Sequence, residues 1–290
     1  MPHTHYTTLI SAENLAERLS SAPGSVLVFD CSFDLANPAA GEQAYAAGHI
    51  PGAHYLHLDR DLSGAKTGKN GRHPLPTRDA LVETLAKHGL KQNQQVVAYD
   101  AQGSAYAARL WWLLRWLGHD SVAVLDGGVQ AWQAAGQPLD TAAATAGARG
   151  DFKAGAPLAV TADAQHVLAN LKQGEQLVVD ARSPDRYRGE NETIDPVAGH
   201  IPGAHNRFFK DNLTADGRFK SAHTLRDEFN AVIGQESPEH VVLQCGSGIT
   251  ACHNALAMEV AGLHGAALYA GSWSEWCADP ARPVATGPNP

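Results

Sequence analysis

The stretch Val241-Val242-Leu243-Gln244-Cys245-Gly246-Ser247-Gly248-Ile249-Thr250-Ala251 joins an apolar run to a cysteine, a glycine-rich bend and an alanine-rich run that continues to Ala261. The pattern predicts strand, loop and helix, with a thiol at the turn. Successive backbone N–H groups of such a loop, with the N-terminus of the following helix, present partial positive charge to whatever occupies the bowl. A thiol held there is favoured in its ionised, nucleophilic form. A cysteine that ends a strand can instead be a small buried hydrophobe. Here Gly246 and Gly248 keep side chains out of the bowl and Ser247 sets a hydroxyl beside the thiol, which a structural strand end does not require.

The elements that must hold this loop are written twice. Val26-Leu27-Val28-Phe29-Asp30 recurs as Gln176-Leu177-Val178-Val179-Asp180, and Gly48-His49-Ile50-Pro51-Gly52-Ala53 recurs unchanged as Gly199-His200-Ile201-Pro202-Gly203-Ala204. Gln95 to Asp100 matches His240 to Cys245, and Asp126-Gly127-Gly128 to Trp132 matches Ala270-Gly271-Ser272 to Trp276. Matched blocks in the same order indicate duplicated domains. Each copy predicts an early helix with a hydroxyl residue at its start (Ser11 to Ser20; Thr161 to Lys172) and a short strand. The Gly-His-Ile-Pro-Gly-Ala turn follows, then a second helix (Thr77 to His88; Ser221 to Ile233) and the strand into the central loop. A third helix (Tyr106 to Leu117; Ile249 to Leu263), a strand (Val122 to Leu125; Ala266 to Tyr269) and a short helix around Trp132 or Trp276 complete the copy. Such alternation implies an α/β fold, a mostly parallel sheet covered on both faces, with ligands beyond the carboxyl ends of its strands.

The expected boundaries are an N-terminal domain over 1–139, a linker over 140–157 rich in Ala, Gly and Thr, and a C-terminal domain over 158–290. Asp100 holds the cysteine position of the first copy. A carboxylate is not a soft nucleophile, so the N-terminal domain is expected to be inactive at its own loop and to wall off the second domain's site.

The chain has 290 residues, 44% hydrophobic and 18% charged, with a net charge of −8. That balance argues against nucleic acid, which calls for a basic face. Small anionic substrates fit, because a local arginine pair outweighs a mildly acidic surface at short range. Cys31, Cys245, Cys252 and Cys277 are too scattered for a disulfide scaffold and include no C-x-x-C pair, so neither metal nor cofactor is expected. The N-terminus has no basic n-region or apolar h-region and no apolar run reaches about 18 residues, so a soluble, cytoplasmic protein without membrane association is expected. Cys252 reads as packed within its helix, although a redox partnership with Cys245 is conceivable. Trp111, Trp112 and Trp116 read as core and interdomain contact.

Two tandem copies, the repeated Gly-His-Ile-Pro-Gly-Ala turn, Cys-Gly-Ser-Gly-Ile-Thr-Ala at the second loop and a final Gly-Ser-Trp-Ser-Glu-Trp resemble the two-domain rhodanese-like sulfurtransferases, from about Ser11 to Trp276. Within that family the loop is that of the 3-mercaptopyruvate sulfurtransferases, with Ile249 for valine. The thiosulfate sulfurtransferases typically carry a cationic loop, and this one has no Arg or Lys between Cys245 and Ala251. The resemblance implies attack of Cys245 on a donor sulfur and a persulfide that a thiol, such as thioredoxin or glutathione, or cyanide then collects. Gly246, Ser247, Gly248, Ile249 and Thr250 would stabilise the sulfur anion through their amides.

The resemblance also implies a serine, histidine and aspartate set, matched by Ser247, His73 in Gly71-Arg72-His73-Pro74, and Asp59, with Asp61 an alternative. Arg186 matches the family's first donor-binding arginine. The second is missing from Glu190 to Pro196, so either Arg188, on the same face if the segment is extended, substitutes, or the donor is bound less selectively. Thiosulfate as the donor, or a non-catalytic persulfide relay, remain alternatives. A phosphatase of related fold needs an arginine where this chain has Ala251.

Overall fold

The computed structural model describes residues 5–144 and 147–290. Its described residues form two compact units, the first drawn from Met1–Ser63, Pro76–Leu158 and Ala215–Phe219, the second from Gly64–Leu75, Ala159–Thr214 and Lys220–Pro290. The loop carrying His73, which the sequence reading counts with the first copy, therefore packs as part of the second unit.

In the first unit, strands β1 (Leu9–Ile10), β2 (Val26–Asp30), β3 (His54–Tyr55), β4 (Gln95–Tyr99) and β5 (Val122–Leu125) form a sheet in the order β1-β5-β4-β2-β3. In the second, β6 (Val160–Ala162), β7 (Leu177–Asp180), β8 (His205–Asn206), β9 (Val241–Gln244) and β10 (Ala267–Tyr269) lie in the order β6-β10-β9-β7-β8. Every pairing is parallel, and the two orders correspond strand for strand, as duplicated domains require. The inner strands β2, β4 and β9 are buried along their whole length, which is why they read as continuous apolar runs.

Helices start where the sequence supplies a cap. Ser11, Thr77 and Ser221 each accept an N–H from the first turn of Ala12–Ser21, Arg78–Lys87 and Ala222–Ile233. The early helix of the second copy differs from expectation: Thr161 lies in β6, and Asp163 caps Ala164–Gln173 through His166 N–H. The repeated turn proves structural in both units. His49 stacks on Tyr45 at 3.8 Å between ring centroids, with Nδ1 2.7 Å from the Tyr45 carbonyl, and His200 repeats this on Tyr187 at 3.9 Å and 2.8 Å.

The connection expected over 140–157 lies along the first unit. Gly150 and Gly155 donate N–H groups to the carbonyls of Ala86 and Leu117, and Phe152 is buried. Thr145 and Ala146 of that connection, and Met1 to Thr4 of the N-terminal reading, are outside the described residues. Among the described residues no helix is long and apolar enough to cross a membrane, and no group of three or more His, Cys, Asp or Glu side chains is placed to hold a metal.

Asp100, fully buried, occupies its own loop. Oδ1 accepts the N–H groups of Gln102 and Ser104 and Oδ2 those of Tyr106 and Ala107, each at 2.8 Å. Removing the carboxylate takes the acceptor from four N–H groups at once, those of Ser104 and Ala107 in buried bonds. Asp100→Ala is therefore expected to destabilise the protein by about 2–4 kcal/mol, seen as a lower urea midpoint.

Candidate active site

β9 runs buried to Gln244 and delivers Cys245 at the carboxyl end of the second sheet's central strand. β7 lies beside it with Asp180 opposite Gln244, so residues just past Asp180 emerge next to the cysteine. The thiol is 2% exposed, and its Sγ accepts the Gly248 N–H at 3.1 Å. Gly248 turns through φ +77°, and a Cβ there would sit 2.2 Å from the Ala270 carbonyl oxygen, so only glycine closes the loop. Cys252 donates its S–H to the Gly248 carbonyl at 3.2 Å and braces the loop from behind. Ile249 is buried, and Thr250 opens the helix Thr250–Val260.

Ser272 fixes the backbone of Cys245. It accepts the Cys245 N–H at 3.1 Å and donates its hydroxyl to the Tyr269 carbonyl at 2.8 Å, from a left-handed φ of +54°. A non-glycine residue in that region costs about 1–3 kcal/mol and persists where its surroundings determine it. The first copy has Gly128, φ +60°, at the matching position.

Ser247 Oγ and His73 Nδ1 are 2.7 Å apart, and both side chains are buried. The His73 segment is fastened next door, where the Arg72 N–H donates to Ser274 Oγ at 2.9 Å. Asp59 belongs to the first unit, in the short helix Leu58–Asp61, with its N–H donated to His57 Nδ1 at 3.1 Å.

The condition set for Arg188, an extended segment, is not met. Pro184–Arg188 is helical, not extended, so residues two apart point to different faces. Arg188 pairs with exposed Glu190 at 2.7 Å. Arg186 donates Nε to Glu192 at 3.0 Å, and Nη2 to Glu192 at 2.9 Å and to Asp195 at 3.1 Å. Burial raises the Glu192 carboxyl's pKa, but the N–H groups of Asp195 and Ile194 and the Arg186 guanidinium outweigh it, leaving it below the usual carboxylate range.

Arg72, Asp195 and Arg182 were not singled out by sequence reasoning. Arg72 Nη1 meets the other oxygen of Asp195 at 2.5 Å. Arg182 is buried on Asp180 (Nη2 to Oδ2, 2.6 Å), donates to the Gly199 carbonyl at 2.8 Å and lies 4.7 Å over the Trp273 ring. Burial opposes its charge, yet Asp180, Glu192 and Cys245 together hold its pKa above the ordinary arginine value. The available signals were slight: Arg72 adjoins His73, and Arg182 follows the repeated strand ending in Asp180. The arrangement sets a buried thiol beside a hydroxyl–imidazole pair able to pass a proton, with guanidinium groups at hand for an anion.

The family description "Rhodanese-like domain" matches residues 11–135 and 163–279. A probable 3-mercaptopyruvate sulfurtransferase of Pseudomonas aeruginosa is 48% identical over 281 residues, covering 96% of this chain and 98% of the relative. Thiosulfate sulfurtransferase of Mus musculus is 34% identical over 281 residues, covering 93% and 92%. Among solved structures, 3-mercaptopyruvate sulfurtransferase from Leishmania major superposes with a TM-score of 0.83 at 27% identity, over 95% of this chain and 75% of that one. A 3-mercaptopyruvate sulfotransferase from Escherichia coli gives 0.78 at 27% identity, over 92% and 99%.

Proposed function

This chain belongs to the rhodanese-like family and is a sulfurtransferase, and from that premise we propose that it takes sulfur from 3-mercaptopyruvate, carries it as a persulfide on Cys245 and releases pyruvate. The Cys245 thiolate attacks the donor's thiol sulfur. A sulfur–sulfur bond forms, the carbon–sulfur bond breaks, and its electron pair remains on the enolate of pyruvate. The proton of the donor thiol ends on that carbon. In the second step a thiol such as thioredoxin or glutathione, or cyanide, attacks the outer sulfur and restores the thiolate. Splitting the transfer in two replaces one difficult displacement with two easier ones.

The observation that carries the choice of donor is the 2.7 Å contact between Ser247 and His73 beside Cys245. An enolate needs a proton delivered to it, and a buried hydroxyl–imidazole pair is the group that supplies one. Asp59 is the third member that the resemblance assigns, while this reading requires only the other two. The loop amides of Gly246 to Thr250 would stabilise the sulfur anions, with Gly248 supporting that role through its N–H. Four free thiols suit a reducing compartment, and the cytoplasm is the location we assign.

Thiosulfate is the second reading, favoured by guanidinium groups of Arg72 and Arg186 close to Gly246. Initial rates with the two donors at fixed acceptor separate the readings. A several-fold preference for 3-mercaptopyruvate, with one pyruvate formed per sulfur moved, is expected; the reverse preference overturns the choice.

Arg186 on Glu192 gives a further expectation. A carboxyl whose folded pKa is depressed contributes its stabilisation above the unfolded value, about 4.3, and loses it as pH falls through the folded value. The KM for donor is thus expected to stay level from neutrality down to that range and to climb only below it. Glu192→Gln should raise KM throughout, measured by pyruvate release.

A further inference from the structure

We propose that Arg72 is the second arginine that grips the donor's carboxylate, with Arg186 as the first and Asp195 as the brace that aims both. The proposal rests on the reading of 3-mercaptopyruvate as donor and adds a residue that decides specificity.

Two guanidinium groups converge on the residue next to the nucleophile. A Cβ placed on Gly246 would lie 3.1 Å from Arg72 Nη2 and 3.5 Å from Arg186 Nη1. Gly246 is about 3.8 Å from Cys245, Cα to Cα. Three bonds separate the transferred sulfur of 3-mercaptopyruvate from its carboxyl carbon. A carboxylate resting on these guanidiniums therefore leaves its sulfur within range of Cys245.

The donors on each group are divided. Arg186 spends Nε and Nη2 on Glu192 and Asp195, which leaves Nη1, the atom nearer Gly246. Arg72 spends Nη1 on Asp195, its Nε is buried with no hydrogen-bond partner, and Nη2 is the atom facing Gly246. Asp195 is the reason both point the same way. Its side chain is 2% exposed and offers one oxygen to each arginine, Oδ1 to Arg72 at 2.5 Å and Oδ2 to Arg186 at 3.1 Å.

A shared buried carboxylate prevents two like charges from driving each other apart. Because Glu192 offsets the charge of Arg186 as well, the donor's carboxylate is held by directed guanidinium N–H groups and not by a surplus of positive charge. Arg72 is held at its backbone through Ser274 Oγ and at Nη1 through Asp195, so little side-chain freedom remains to be lost on binding. Arg188, engaged with Glu190 on another face of its helix, is not placed to serve.

The test compares 3-mercaptopyruvate with mercaptoacetone, which has the same thiol and ketone but a methyl in place of the carboxylate. Wild type, Arg72→Ala, Arg72→Lys and Asp195→Asn are assayed for sulfur transferred to cyanide, with thermal unfolding of each as a check on folding. The ratio of kcat/KM for the two donors is expected to fall roughly 10- to 100-fold in Arg72→Ala, the loss associated with charged hydrogen bonds, with partial recovery in Arg72→Lys. A ratio within about twofold of wild type, or an equal fall for both donors, overturns the role of Arg72. Wild-type protein that releases no pyruvate from 3-mercaptopyruvate instead overturns the donor assignment, an outcome seen before any variant is made.

Discussion

Cys245→Ala is expected to abolish sulfur transfer from every donor, by about 10⁴-fold or more, because the step that divides the reaction loses its only carrier. Intact-protein mass spectrometry should show wild type gaining the mass of one sulfur atom after exposure to donor alone, and the variant gaining none. The other thiols offer no substitute. Cys252 is fully buried with its S–H on the Gly248 carbonyl, and Cys31 and Cys277 are buried elsewhere. Burial pushes the Cys31 and Cys277 thiols toward their neutral form, the opposite of what a nucleophile needs. Cys245→Ser should fare no better, since a hydroxyl in the same place cannot hold sulfur as a persulfide. A variant that retains turnover or gains the added mass would place the carrier somewhere else.

The duplication explains how much of this was legible beforehand. β2, β4, β7 and β9 are buried on both faces, so their sequences are nearly pure apolar runs, and the loops at their ends are marked by glycine. The edges were not legible. β1 is two residues long, and β6 is three long with Val160 54% exposed, too short and too open to carry a period. Whether Pro184–Arg188 is extended was left open, because one turn of helix has no room for a repeating pattern; proline at its first turn and Gly189 after it were the available signs of a helix.

The site's missed residues share one cause. Arg182 approaches Cys245 because β7 and β9 lie in parallel register, and Arg72 reaches Asp195 across more than a hundred residues of chain. Spacing along a sequence says nothing about such pairs. Ser247 and His73 escaped this limit only through resemblance to a family. For Arg188 the condition of an extended segment is not met, since residues two apart on one turn of helix face different ways.

Ser247→Ala and His73→Asn are expected to discriminate between donors instead of lowering all activity alike. With 3-mercaptopyruvate the departing group is a carbanion equivalent, and proton delivery by a positioned group is typically worth 10²–10⁴-fold. Turnover of that donor should fall by about 10²-fold or more in either variant. The two losses should not multiply in the double variant, because the side chains act as one unit across 2.7 Å. With thiosulfate the departing group is sulfite, which leaves as a stable anion and needs no proton, so rates should stay within a few-fold of wild type. Discharge of the persulfide to cyanide, which also needs no proton at carbon, should be similarly spared. Stopped-flow formation of the persulfide with each donor separates these steps from the acceptor reaction. If both donors lose the same factor, the pair serves the loop's shape and the proton reaches the enolate by another route; if only the 3-mercaptopyruvate half-reaction collapses, the buried hydroxyl and imidazole are what fits this site to a carbon leaving group.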